Sequence, residues 1–209
     1  MQVVVGWLHN GHVVGDFCKS LVNLIAASRQ MIYGQIVQAG SSIVMGRNTV
    51  VEQFLGTEAE WLFMVDSDMT FEPDSLVRLL AAADPKLRPV VGGLCFGMRN
   101  GEVFPTIFAE RDGEMYVVKT WPENTVTKVS ATGAAFLLVH RSVFVKMAER
   151  FAKPCPWFAD EVLPSGELRG EDVTFCVRAE SLGFPIFVHT GVKVGHVKQH
   201  TITEDTFRG

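Results

Sequence analysis

The sequence predicts an α/β protein, a sandwich of helices around a mostly parallel central sheet, with a small antiparallel β region added. Three observations predict it. Trp61-Leu62-Phe63-Met64-Val65 is an unbroken apolar run, the mark of a strand buried on both faces. Short β-like runs alternate with segments of helical spacing through the first half of the chain. From Asn100 to Val129, turn residues alternate with β-prone runs, which is the pattern of an antiparallel hairpin.

The elements follow in order. Val3-Val4-Val5 is β-branched and reads as a buried first strand ended by Gly6. From Asp16 to Ile32, the residues Phe17, Leu21, Leu24, Ile25 and Ser28 recur at helical spacing. A brief apolar run at Ile43 to Met45 leads into Arg47-Asn48, and Val50, Val51, Phe54 and Leu55 resume a helical face closed by Gly56. The apolar strand from Trp61 stops at Asp66-Ser67-Asp68. Pro73 is a favourable first helical position, and Leu76, Leu79, Leu80 and Ala83 carry that helix to Asp84-Pro85. Pro89 to Leu94 and Ala134 to Val139 are further buried strands. Phe144, Met147, Ala148 and Phe151 mark another amphipathic helix. A polar loop from Lys153 to Gly170 precedes a helix opening near Asp172, with Val173, Cys176 and Val177 inward and Gly183 at its end. Pro185 to Val188 and Val192 to Val194 read as last short strands.

Composition sets the limits. The chain has 209 residues, 47% hydrophobic and 10% aromatic, which fits one folded domain spanning 1–209. With 19 basic against 23 acidic residues the net charge is −4, so a generic polyanion binder is excluded, and nucleic acid is left only as a possible acceptor met by a local patch. The longest apolar stretch, Ala134 to Val139, is far short of the roughly 20 residues of a spanning helix. No basic region precedes Val3, so no signal peptide is expected. Cys18, Cys95, Cys155 and Cys176 form no C-x-x-C pair, and a reducing, cytoplasmic setting is the expectation.

Ligands of open α/β sheets bind beyond the carboxyl ends of strands. That rule points at Gly6-Trp7-Leu8 and above all at Asp66-Ser67-Asp68. In extended backbone, residues i and i+2 point the same way, so Asp66 and Asp68 can converge on one hard cation, Mg²⁺ or Mn²⁺. The alternative is a turn whose aspartates cap the helix near Pro73. Gly170-Glu171-Asp172 opens a helix, where acids either complement the macrodipole or serve chemistry. His196 ends the last strand as a candidate third metal ligand, with His200 as the alternative. Trp121, Trp157 and Phe158 lie on loops, where aromatics stack on a sugar or base or else plug the core. Trp157 is the stronger acceptor-site candidate because it leads toward the acidic pair. G-x-G-x-x-G, G-x-x-x-x-G-K-[ST], G-x-S-x-G and H-E-x-x-H are all missing.

In this order, Val3-Val4-Val5-Gly6-Trp7, Gly46-Arg47-Asn48, Leu62 to Asp68, Thr132-Gly133-Ala134-Ala135-Phe136, Gly170-Glu171-Asp172 and Gly195-His196 resemble a metal-dependent glycosyltransferase of the GT-A fold, family-2-like. The resemblance implies a nucleotide-binding half of about 1–95 and an acceptor-binding half of about 96–209. It implies a nucleotide-sugar donor (UDP- or GDP-sugar) and Mn²⁺ or Mg²⁺ held by Asp66, Asp68 and His196. It also implies that Trp7, Leu8, Arg47 and Ser67 contact the nucleotide or diphosphate, that Gly133 and Trp157 meet substrate, and that Asp172, with Glu171 beside it, is the general base. The chain departs from the family where Gly6-Trp7-Leu8-His9 replaces the usual Pro-Thr/Ser-Tyr-Asn turn, and no acid marks Ile36 to Gly40. No Q-x-x-R-W is present, so processive polysaccharide synthases are not expected. Small soluble relatives of this kind resemble phage-type or capsule enzymes. A nucleotidyltransferase, or a non-catalytic nucleotide-sugar-binding module, is the alternative reading. The first lacks a basic Gly-rich loop between Gly6 and Gly15.

Overall fold

The computed structural model describes residues 1–99 and 101–198. The first half of the chain holds β1 (Val3–His9), α1 (Gly15–Ser28), β2 (Ile32–Ala39), α2 (Ile43–Leu55), β3 (Trp61–Asp66), β4 (Met69–Thr70), α3 (Ser75–Ala82) and β5 (Val90–Leu94). Two short hairpins follow, β6 (Phe96–Arg99) with β7 (Glu102–Pro105), then β8 (Ile107–Arg111) with β9 (Glu114–Val117). The remainder is β10 (Val126–Val129), β11 (Ala131–Thr132), β12 (Phe136–His140), α4 (Arg141–Arg150), β13 (Glu161–Val162), β14 (Leu168–Arg169), α5 (Glu171–Ser181), β15 (Ile186–Lys193) and β16 (Gly195–His196).

Seven strands form the central sheet in the order β10-β15-β5-β12-β3-β1-β2. Alternate side chains of each strand face opposite layers. Val3, Val5, Trp61, Phe63 and Val65 pack with Phe17, Leu21 and Leu24 of α1 and Leu76 and Leu79 of α3. Val4, Leu62 and Met64 pack with α2, α4 and α5 through Val50, Phe54, Phe144, Met147 and Phe175. The sandwich is therefore as expected, but its sheet is mixed and not mostly parallel. β12 runs antiparallel to both of its neighbours, β3 and β5, and β10 runs antiparallel to β15. The buried run Ala134 to Val139 looks the same in either direction, so its apolar pattern carries no orientation.

Other differences have local causes. Gly6 does not end β1 but lies inside it, where a Cβ would sit 2.5 Å from Val50 Cγ1. Glycine there lets α2 approach the strand. The helix from Asp16 ends at Ser28, because Ile32 already pairs with Val3 as the start of β2. α3 begins after Pro73, at Ser75, and the expected single hairpin after residue 100 is two, broken at Pro105-Thr106. In α5 the buried face is Thr174, Phe175, Cys176 and Ala179, with Val173 and Val177 only partly covered. The two last short strands are one, Ile186–Lys193, which runs on into β16.

Candidate active site

The carboxyl ends of β1 and β3 open into a groove of about 980 Å³. Leu8, His9, Gln38, Ser42, Asp66, Ser67 and Asp68 line it, and Val197 and Lys198 close it from the far end of the chain. Its floor is fixed by backbone bonds, since Val14 N donates to the Ser67 carbonyl and Val197 N to the Asp68 carbonyl at 2.8 Å. β16 pairs with β4, placing His196 opposite Met69 and so beside the turn that carries Asp68.

Asp66 and Asp68 both line the groove but have different side-chain partners. Arg47, buried in α2, donates through Nη2 to both carboxylate oxygens of Asp66 at 3.0 Å. Its Nη1 lies 3.5 Å from Glu171 Oε1, an ion pair at a distance where a good hydrogen bond is lost. Among the described residues Nε and Nη1 have no hydrogen-bond partner, and the guanidinium lies over the Phe158 ring, 5.7 Å from its centroid. Burial works against the Arg47 charge, but Asp66, Glu171 and Asp172 outweigh it and raise its pKa. The guanidinium thus ties the end of β3 to the start of α5. Arg47→Met is expected to lower stability by about 2–4 kcal/mol, because it leaves two part-buried carboxylates without their cation. A urea titration checks this, and an unchanged midpoint would show that Asp66 and Glu171 do not depend on it.

Asp68 meets two other side chains. His196 Nε2 lies 2.9 Å from Asp68 Oδ2, and Lys198 Nζ donates to the same oxygen at 3.1 Å. Burial pushes the Asp68 carboxyl up, yet the His196 and Lys198 contacts prevail and hold it below its ordinary range. The Asp68 contact raises the His196 imidazole in turn, against partial burial. The other ring nitrogen, Nδ1, is 2.8 Å from the Phe96 carbonyl, which fixes the ring. His200 lies outside the described residues. Among those residues no group of three His, Cys, Asp or Glu side chains converges as a metal cage. A two-ligand set of Asp68 and His196 still fits a hard divalent ion, since Mg²⁺-type sites use one or two carboxylates and leave other positions to substrate phosphates and water.

Asp172 and Glu171 stand in the first turn of α5. Asp172 Oδ1 accepts from Val173 N at 2.7 Å. Burial raises the Asp172 pKa, with Arg47 opposing, and Glu171 is raised for the same reason. Beside Asp172 is Gly133, whose missing side chain leaves open the space next to Oδ2, since a Cβ there would sit 3.5 Å from that oxygen.

Two expected contacts are elsewhere. Trp157 is 6% exposed, and its indole donates to the Phe144 carbonyl at 2.8 Å, so it is a core residue and offers no ring face to an acceptor. Its polar sequence neighbours gave no sign that Asn48 would draw this segment inward, with the Trp157 and Phe158 amides both donating to Asn48 Oδ1 at 3.4 Å. Trp7 packs on Phe17 and His9, while its neighbour Leu8 faces the groove. Lys198 was not anticipated. The nearest signal is its place two residues after His196, which puts it within reach of the same turn.

No protein-family profile and no curated protein sequence matches the chain. Solved structures do resemble it. A197 from STIV aligns over 95% of this chain and 87% of its own, with TM-score 0.64 and 16% identity. GalNAc-T7 with UDP, GalNAc and Mn²⁺ aligns over 95% of this chain at TM-score 0.67 and 12% identity. S. aureus TarS 1-349 in complex with UDP-GlcNAc aligns over 97% at TM-score 0.57 and 15% identity. The chain spans 43% of the GalNAc-T7 chain and 60% of the TarS chain. The fold is therefore glycosyltransferase-like, and the likeness does not single out family 2. No helix among the described residues is long and apolar enough to cross a membrane.

Proposed function

We propose that this chain is a divalent-metal-dependent glycosyltransferase that moves a sugar from a nucleotide-sugar donor to an acceptor hydroxyl. One observation carries the reading. Two carboxylate centres are present, Asp68 with His196 in the groove and part-buried Asp172 at the start of α5, and Arg47 ties the end of the strand that leads to the first to the helix that carries the second. The first suits a cation and a diphosphate, the second a proton in transit. The fold likeness supports the same reading, because two of the similar structures hold UDP or a UDP-sugar, one of them with Mn²⁺.

In this reading the donor lies in the groove along Leu8 and Gln38, with its diphosphate toward Asp68 and Lys198. Asp68 and His196 would hold Mn²⁺ or Mg²⁺, which when bound stabilises negative charge on the departing nucleoside diphosphate. Lys198 adds a positive charge to the same end of the groove. Asp172 takes the proton of the acceptor hydroxyl as its oxygen bonds to the anomeric carbon, and the bond from that carbon to the phosphate oxygen breaks. A raised pKa suits this role, since a carboxylate with a stronger hold on its proton is a better base. Asp66 and Arg47 position the two centres.

The test is thermal melting with a panel of UDP- and GDP-sugars, with and without Mn²⁺. A cognate donor at about 100 times its Kd adds about 2.7 kcal/mol, roughly 5–10 °C in a domain of this size. The rise is expected only when nucleotide and metal are both present. No shift with any donor would sink the reading.

A further inference from the structure

A second cavity, of about 410 Å³, lies at the carboxyl ends of β5 and β15, where Lys193 pairs with Leu94. β3 and β5 both run antiparallel to β12, so they point the same way, and this cavity opens on the same edge of the sheet as Asp66-Ser67-Asp68. Phe96, Trp121, Glu123, Asn124 and Lys193 line it. Its volume falls within the roughly 300–1,000 Å³ of small-molecule clefts. Two links connect it to the reaction centre. The Phe96 carbonyl is held by His196, whose other nitrogen meets Asp68. The neighbouring Cys95 carbonyl accepts from Thr106 Oγ1 at 3.2 Å, and Thr106 and Asp172 border Gly133 from two sides. The cavity wall is thus connected through Phe96 and His196 to Asp68, and through Cys95, Thr106 and Gly133 to Asp172.

Its wall is built rather than loose. Thr190, buried in β15, donates its hydroxyl to the Pro122 carbonyl at 2.7 Å and accepts from Thr125 N at 2.9 Å. The loop between these points carries Glu123 and Asn124 and follows directly on Trp121. Asn124 takes the left-handed conformation, φ 50°, and its Oδ1 accepts from Arg78 Nη2 at 3.0 Å. Asparagine tolerates this backbone better than other non-glycine residues, and here its side chain is held as well. Gly191 makes room for this contact, since a Cβ there would collide with the Asn124 side chain and the end of Arg78. Trp121 is half-buried and tilted against Phe96, with ring centroids 6.3 Å apart. A pinned aromatic wall loses little freedom when a ligand stacks on it.

We propose that this cavity is the acceptor subsite and that it takes a pyranose ring of a carbohydrate acceptor, an inference that rests on the glycosyltransferase reading. A sugar presents C–H groups on its faces and hydroxyls at its rim. Trp121 and Phe96 answer the first. Glu123, Asn124 and Lys193 answer the second with acceptors and donors. Glu123 and Lys193 offset one another in charge, so the cavity has no surplus of positive charge for a phosphate, and a neutral polyol fits better than a second nucleotide.

The experiment is saturation-transfer NMR of the whole protein with the methyl glycosides of glucose, galactose, mannose and N-acetylglucosamine, and with uridine. In parallel, UDP-sugar and Mn²⁺ melting is recorded on the same samples. At least one glycoside is expected to receive saturation on its ring C–H protons. Trp121→Ala should weaken this roughly tenfold, and Trp121→Phe should restore part of it. Lys193→Gln, at an exposed position, should weaken it without moving the melting temperature, so the result stands if Trp121→Ala fails to fold. Equal saturation in Trp121→Ala, Trp121→Phe and Lys193→Gln overturns the subsite. A nucleotide response with no glycoside saturation overturns the subsite alone. Glycoside saturation with no nucleotide response overturns the donor reading and the acceptor role with it. Saturation of uridine base protons that Trp121→Ala abolishes would assign the cavity to a nucleotide and overturn the proposal.

Discussion

Asp172→Asn is expected to lower the turnover of sugar transfer by about 10²–10⁴-fold, the usual contribution of a positioned general base. Donor binding should survive, because the groove proposed for the nucleotide does not include Asp172. The rise in melting temperature with UDP-sugar and Mn²⁺ is therefore the internal control. The pH profile supplies a second reading. Burial raises the Asp172 pKa, and the base works only when ionised, so wild-type kcat/KM should climb with pH through a midpoint above the ordinary carboxylate range. Stability runs in the opposite sense. The folded pKa exceeds the unfolded one, so the folded state prefers the protonated acid and gives up that preference as pH rises through the folded value. The variant, which never ionises, should gain melting temperature relative to wild type as pH rises from 4 to 8. Unchanged transfer would remove Asp172 as the base, and a pH-independent difference in melting would show that its burial carries no penalty.

Asp68→Ala should abolish the Mn²⁺-dependent part of donor binding, so that the expected shift of roughly 5–10 °C disappears. The contrast with Asp66→Ala separates two roles that the motif gives to one pair. Asp66 is the bidentate partner of Arg47, so its loss should depress the unfolding midpoint before any ligand is added. Asp68 is more exposed and meets His196 and Lys198 at the groove, so its loss should cost binding more than folding. Equal responses of wild type and Asp68→Ala to Mn²⁺ and nucleotide would remove Asp68 from the metal site.

Parts of this organisation are legible in the chain because their signals are local. Five apolar residues that stop at Asp66 announce a buried strand and the edge where it emerges, and the acids at 171 and 172 announce a helix start. What escapes is set by distant partners. A helix bearing Arg47 and Asn48 says nothing about which carboxylates lie 19 and 124 residues further on, or that Asn48 holds the backbone of Trp157 and Phe158. The strand Ile32–Ala39 hides for another reason. At the sheet edge its burial only alternates between partial and exposed, and Gly34, Gln35 and Gln38 dilute the period that would reveal it. Trp121 was readable as a sugar platform or a plug. The cavity beside it favours the platform, and that choice depends on Thr190, 69 residues later, which pins its loop.

The reversed strand β12 also shapes how the polypeptide must be assembled. Its residues 136–140 occupy the gap between β3 and β5, so each of those strands keeps a bare row of amides and carbonyls until residue 140 has been synthesised and turned back. The first 95 residues contain the groove's main walls but leave β3 and β5 without the strand that joins them. Pairing of β12 with both strands is a long-range contact, and such contacts close slowly because the loop entropy is lost before they form.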